Sequence, residues 1–141
     1  MKLQKILSRF LKLHPKEIDL SLDRIKLLCK KLGNPQDKIK AISVVGTNGK
    51  QSTINAIFSI LKEAKMKCNV YSSPHIQKIN ERFIFNSKEL EDEKLAFLFE
   101  EVERINNNQP ITFFEILTAC YFYKAAQYPK NINLIEAGLF H

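Results

Sequence analysis

The chain has 141 residues, with 22 Lys and Arg against 15 Asp and Glu, and 45% of it is apolar. That length suits one domain with a real core, and the apolar content with few Gly and Pro excludes a disordered or fibrous protein. No apolar run approaches the roughly 18–20 residues of a membrane span. Three scattered cysteines, Cys29, Cys68 and Cys120, indicate neither a disulfide framework nor a clustered zinc site. A reducing compartment, the cytoplasm, is the expectation.

The net charge of +7 is uneven. Residues 1–40 hold eleven Lys/Arg and four Asp/Glu, whereas residues 41–141 hold eleven of each. Nucleic-acid binding is one reading of such a block, but only Phe10 supplies an aromatic ring within it. A solvated basic helix face, or attraction for an anionic small substrate, fits better. Residues 1–16 lack acids, as transit peptides do, yet Leu3, Ile6, Leu7, Phe10 and Leu11 repeat at helical spacing.

In chain order, the pattern predicts a helix over 3–13 and a second over 22–32, the latter capped by Gly33 with Asn34-Pro35 beyond. Ala41–Val45 reads as a buried strand running into Gly46-Thr47-Asn48-Gly49-Lys50. Helical period returns over 51–65, followed by a strand at 68–71 that ends in Ser72-Ser73-Pro74-His75. A short strand at 82–85, helices at 89–106 and 112–127, and a strand at 132–135 leading into Glu136-Ala137-Gly138 complete the series. The succession implies an α/β fold of P-loop type, a largely parallel sheet with flanking helices. The expected division is a helical segment over 1–40 and a nucleotide-binding domain over 41–141, its sheet ending on the strand at 132–135.

The strongest local signal is Gly46-Thr47-Asn48-Gly49-Lys50-Gln51-Ser52-Thr53 between a strand and a helix. Glycines let backbone amides curl toward a phosphate, and the helix N-terminus adds positive potential. The strict pattern G-x-x-x-x-G-K-S/T fails twice, with Val44 at the first Gly and Gln51 at the Ser/Thr. Ligands of open parallel sheets gather at the C-terminal strand ends, which here carry Gly46–Lys50, Ser72–His75 and Glu136. A phosphate cradle, hydroxyls and a carboxylate in one cleft would suit a nucleotide with Mg²⁺. Taken alone, Glu136 reads equally as a helix-facing or solvent-exposed acid. Glu115, after Thr112-Phe113-Phe114, is either a first-turn acid favoured by the helix dipole or the polar wall of a pocket for a flat ligand.

Together these stretches resemble a family. Gly46-Thr47-Asn48-Gly49-Lys50 with Ser52-Thr53 is similar to the ATP loop of the Mur-ligase superfamily. His14-Pro15-Lys16-Glu17-Ile18-Asp19-Leu20-Ser21-Leu22-Asp23-Arg24 resembles the N-terminal substrate motif of dihydrofolate/folylpolyglutamate synthases. Tyr71-Ser72-Ser73-Pro74-His75 with Asn80-Glu81-Arg82, and Ile111-Thr112-Phe113-Phe114-Glu115 with Thr118-Ala119, resemble two more of their motifs, in family order.

The resemblance implies an incomplete Mur-ligase-like ATP-binding domain of an ATP-dependent carbon–nitrogen ligase. Such an enzyme phosphorylates a substrate carboxylate and lets L-glutamate displace the phosphate, with dihydropteroate or folate as acceptor. It implies ATP at residues 46–53 with Lys50 catalytic, Mg²⁺ at Ser73 and Glu136, and the pterin substrate at Ile18, Asp19, Leu20, Thr112, Phe113, Phe114 and Glu115. It also implies small-molecule partners only, no nucleic acid or membrane, and a monomeric full-length form. Two departures stand out: Gln51 replaces the family's usual Gly, and Phe140-His141 replace Gly-Gly after Glu136-Ala137-Gly138-Leu139. The rest of the family's sequence would follow there, so this stretch is expected to be an N-terminal third, marginally stable and inactive alone. Another Mur-type amide ligase, and a stand-alone nucleotide or nucleic-acid binding module, are the alternatives.

Overall fold

The computed structural model describes residues 2–13, 21–46, 48–73 and 77–137. Ile18, Asp19, Leu20, Thr47, Pro74 and His75, all singled out above, lie outside the described residues. In order, the elements used below are α1 (Lys2–Leu11), α2 (Asp23–Lys31), β1 (Lys40–Val45), α3 (Lys50–Glu63), β2 (Cys68–Tyr71), β3 (Phe83–Phe85), β4 (Lys88–Glu89), α4 (Asp92–Asn106), α5 (Phe113–Ala125) and β5 (Ile132–Ala137). Contacts group them into two units: residues 1–38 with 91–127, and residues 39–90 with 128–141. The stretch 91–127 groups by contacts with residues 1–38 rather than with the strands.

In the first unit, α1, α2 and α4 form on apolar residues that recur at helical spacing, whereas α5 is apolar along most of its length. Helix α1 buries Leu3, Ile6 and Phe10. Helix α2 ends as expected: Gly33 takes φ +90°, and the Asn34 N–H reaches back to the Cys29 carbonyl at 2.8 Å, closing a Schellman turn. Helix α4 buries Leu95, Leu98, Phe99 and Val102. Helix α5 begins with a capping box: the Glu115 N–H donates to Thr112 Oγ1 at 3.1 Å, and Glu115 Oε1 accepts from the Thr112 N–H at 3.0 Å.

In the second unit, the five strands build one sheet in the order β1-β5-β2-β3-β4. Strands β1, β5 and β2 run parallel, and β3 and β4 are added antiparallel. The α/β class with a parallel core is as expected. Helix α3 packs on one face, where Ile54, Val70 and Leu134 form the buried centre with Val44, Ile57, Phe58 and Leu61 around them.

Three expectations are corrected. The strand β1 is an edge, not buried, with Ile42 43% and Val45 60% exposed, because β5 is its one strand neighbour among the described residues. The last strand in sequence is not the sheet's end, since β5 inserts between β1 and β2; helical crossovers free strands from sequential order. The fourth helix starts at Asp92 rather than 89, because Lys88–Glu89 pairs with β3 before the helix begins.

Buried in the sheet is an asparagine network. Asn69 on β2 and Asn133 on β5 stand opposite each other, both fully buried, and Asn69 Nδ2 donates to Asn133 Oδ1 at 3.0 Å. Asn133 Nδ2 donates to the Lys40 carbonyl on β1, while Asn69 Oδ1 accepts from the Asn86 N–H and from Asn131 Nδ2. Polar groups this deep persist when their hydrogen-bonding capacity is met.

Candidate functional site

The C-terminal ends of β1, β5 and β2 lie side by side, and each leads to a polar group. After β1, Gly46 takes φ +151° and Gly49 φ +75°, conformations that favour glycine over any residue with a Cβ. Gly49 is the N-cap of α3, and no atom lies within 4 Å of where its Cβ would be. Space is therefore open beside Gly49, and the first-turn amides of α3 have no partners within the helix.

Lys50 opens α3, and its Nζ lies 3.7 Å from Glu136 Oε1 near the end of β5. Both side chains are largely buried, 13% and 8% exposed. The other carboxylate oxygen, Oε2, accepts the N–H of Ser73, just beyond β2, at 3.4 Å. The structure thus brings together Lys50 at the start of α3, Ser73 just beyond β2 and Glu136 near the end of β5. A carboxylate and a hydroxyl on neighbouring strand ends are hard oxygen donors of the kind Mg²⁺ prefers. Among the described residues no group of three or more His, Cys, Asp and Glu could hold a metal.

The rest of the loop is exposed. Asn48, Gly49, Gln51, Ser52 and Thr53 face solvent. Thr53 Oγ1 donates to the Gly49 carbonyl at 2.9 Å. Gln51 Nε2 donates to Asn55 Oδ1 at 3.1 Å, so this side chain runs along α3 rather than over the loop. Behind the β2 end, Arg82 is buried, its carbonyl accepts the Ser72 N–H, and burial lowers the pKa of its guanidinium. Glu81 Oε2 accepts the N–H groups of Gln77 and Lys78, fixing the return of that loop.

The other predicted residues belong to the first unit. Phe114 is half exposed, while Thr112, Phe113 and Glu115 are partly buried. Among the described residues the Glu115 carboxylate accepts from the Thr112 N–H and from Arg24 Nε at 2.9 Å and Nη2 at 3.3 Å. Sequence reasoning placed Arg24 only at the end of the stretch resembling the N-terminal substrate motif, and its charge on an amphipathic helix carried no signal of a partner 91 positions away.

The fold and this cluster define an α/β domain with a glycine loop at a helix N-terminus, facing a carboxylate across parallel strand ends. Over most of its length the chain is similar to part of the dihydrofolate synthase/folylpolyglutamate synthases. It is 36% identical over 129 residues to the Escherichia coli dihydrofolate synthase/folylpolyglutamate synthase, covering 90% of this chain and 30% of that protein. It is 39% identical over 126 residues to the Bacillus subtilis protein of the same name, covering 84% and 29%. Among solved structures, E. coli FolC with DHPP and ADP matches with a TM-score of 0.87 and 34% identity, over 97% of this chain and 33% of that one. The Yersinia pestis enzyme with AMPPNP and Mn matches with a TM-score of 0.88 and 30% identity, over 97% and 33%. No family model matches the sequence. The chain spans about 30% of the length of these curated relatives.

Proposed function

We propose that this protein holds the nucleotide-loop part of an ATP-dependent ligase that joins L-glutamate to dihydropteroate, to folates, or to both, through an acyl phosphate. The observation that carries this is the meeting of Lys50 with Glu136 at the N-terminus of α3, on the carboxyl edge of three parallel strands. The amides of Gly46, Thr47, Asn48 and Gly49 and the first turn Gln51-Ser52-Thr53 would receive the phosphates, with Lys50 neutralising their charge. Ser73 and Glu136 would hold Mg²⁺, which when bound lowers the cost of bringing two anionic reactants together. Ile18, Asp19 and Leu20 with Thr112, Phe113, Phe114 and Glu115 would contact the pterin. ADP and the AMPPNP–Mn pair in the relatives support nucleotide and divalent metal as the ligands. The reading extends to a monomer in the cytoplasm, acting on small molecules.

Without ligand, the Lys50 ammonium and the Glu136 carboxylate neutralise each other. Drawing the carboxylate to a cation releases the lysine toward phosphate, so metal and nucleotide should help each other bind. Calorimetric titration of the protein with ATP, with and without Mg²⁺, is the test. Lys50→Ala should weaken binding by about 1.5–3 kcal/mol, as loss of a charge-assisted contact does, with the far-UV circular dichroism unchanged. Unaltered affinity in that variant removes the assignment.

A further inference from the structure

We propose that Asn48 is a site of spontaneous covalent modification, at which the loop's neutral amide becomes a carboxylate. Of the asparagines in the sequence, Asn48 alone is followed by glycine. Both residues are exposed. The neighbour has no side chain to hinder approach, and nothing lies within 4 Å of its Cβ direction. Gly49 is also an N-cap: the helix ladder begins with the Thr53 N–H donating to the Gly49 carbonyl, so the Gly49 nitrogen stands outside that ladder.

The chemistry needs only water. The Gly49 backbone nitrogen attacks Asn48 Cγ, forming an N–C bond, and the bond between Cγ and Nδ2 breaks. Ammonia leaves with the proton from the attacking nitrogen. The resulting five-membered imide is opened by water at either carbonyl, giving aspartate or the β-linked isomer. The β-linked form inserts one extra atom into the backbone immediately before Gly49, whose φ of +75° sets how the backbone turns into α3. Both products place a negative charge two residues from Lys50. This consequence rests on the phosphate-loop reading, because a carboxylate there opposes a phosphate as strongly as Lys50 attracts it.

The test is to age the protein in mildly alkaline buffer with and without Mg²⁺ and ADP. Peptide mapping then scores every asparagine for amide-to-acid conversion and for the β-linked isomer. Conversion concentrated at Asn48, and slowed by the nucleotide, is the expected result. Asn107 and Asn108, equally exposed but not followed by glycine, are built-in controls; conversion there as fast as at Asn48 overturns the proposal. The converted form, separated by anion exchange, should bind ADP at least about tenfold more weakly. Undiminished binding by that form would instead overturn the phosphate-loop reading, leaving the Asn48 chemistry in place.

Discussion

Removing the Glu115 carboxylate should cost the first unit more than any surface charge does. Glu115 and Arg24 are 13% and 16% exposed, joined by two hydrogen bonds of 2.9 and 3.3 Å, and the same carboxylate caps α5 through the Thr112 N–H at 3.0 Å. Breaking a buried ion pair by deleting one partner costs about 3–5 kcal/mol, and a lost cap adds about 1. Because both side chains keep some contact with water, the lower end applies, and Glu115→Ala should lose about 4 kcal/mol. Arg24→Met should lose less, about 2 kcal/mol, since the carboxylate keeps its backbone partner. The double variant should then fall short of the sum by about 1.5–2 kcal/mol. Urea unfolding followed by far-UV circular dichroism reads all three. The bidentate Arg9–Glu103 pair, with bonds of 2.9 and 2.7 Å but side chains 50% and 28% exposed, is the contrast: its cycle should stay within about 1 kcal/mol and shrink with salt. A coupling below about 0.5 kcal/mol for Arg24–Glu115 would refute the reasoning. The outcome bears on substrate assays, because a Glu115 variant that loses pterin binding would have to be separated from one that loses the α2–α5 tie.

Glu136→Gln should remove the competitor for Lys50, so metal-free nucleotide binds more tightly while Mg²⁺ adds little; titrations with Mg²⁺ and with chelator check this, and an undiminished Mg²⁺ effect would contradict it. Asn133→Leu strips a partner from both Asn69 Nδ2 and the Lys40 carbonyl and should cost about 2–4 kcal/mol, whereas Asn69→Leu with Asn133→Leu should cost less than the two singles together, as measured by urea unfolding. Burial pushes the Cys120 thiol well above its ordinary 9.0, with Glu103 adding to the effect. The unfolded thiol ionises first, so this stability is whole below pH 9.0 and is lost as pH rises toward the folded value; melting curves should fall less steeply with pH in Cys120→Ala, and an unchanged slope would rule the thiol out.

The parts of the fold legible in sequence are those decided within a few residues. Helical period with Gly33 marked α2, and two glycines ahead of Lys50 marked the loop, because left-handed φ and helix caps are local demands. The exposure of β1 was not legible. Ala41–Val45 reads as buried by composition, but burial depends on what lies alongside, and β1 has β5 on one side alone among the described residues. Arg24 and Glu115 likewise carry no mark of each other. Asn69 and Asn133 look like polar interruptions of two short apolar strands until the register sets them opposite each other.

That register also aims the candidate site. Alternation along β5 puts Leu134 and Glu136 on one face and Asn133 on the other. Leu134 belongs to the core cluster with Ile54 of α3, so Glu136, two residues on, faces the side on which α3 begins with Lys50. A slip of one residue would turn the carboxylate to the opposite face of the sheet. The same slip would separate Asn69 from Asn133 and Asn133 from the Lys40 carbonyl, costing two fully buried amides part of their hydrogen bonding. The asparagines, which touch no proposed ligand, therefore penalise the one error in strand pairing that would dismantle the Lys50–Glu136–Ser73 cluster. A leucine pair at those positions could pack as well and would specify the register less, because apolar contacts tolerate displacement that hydrogen bonds do not. On this argument, the polar core is what makes the position of Glu136 a consequence of folding.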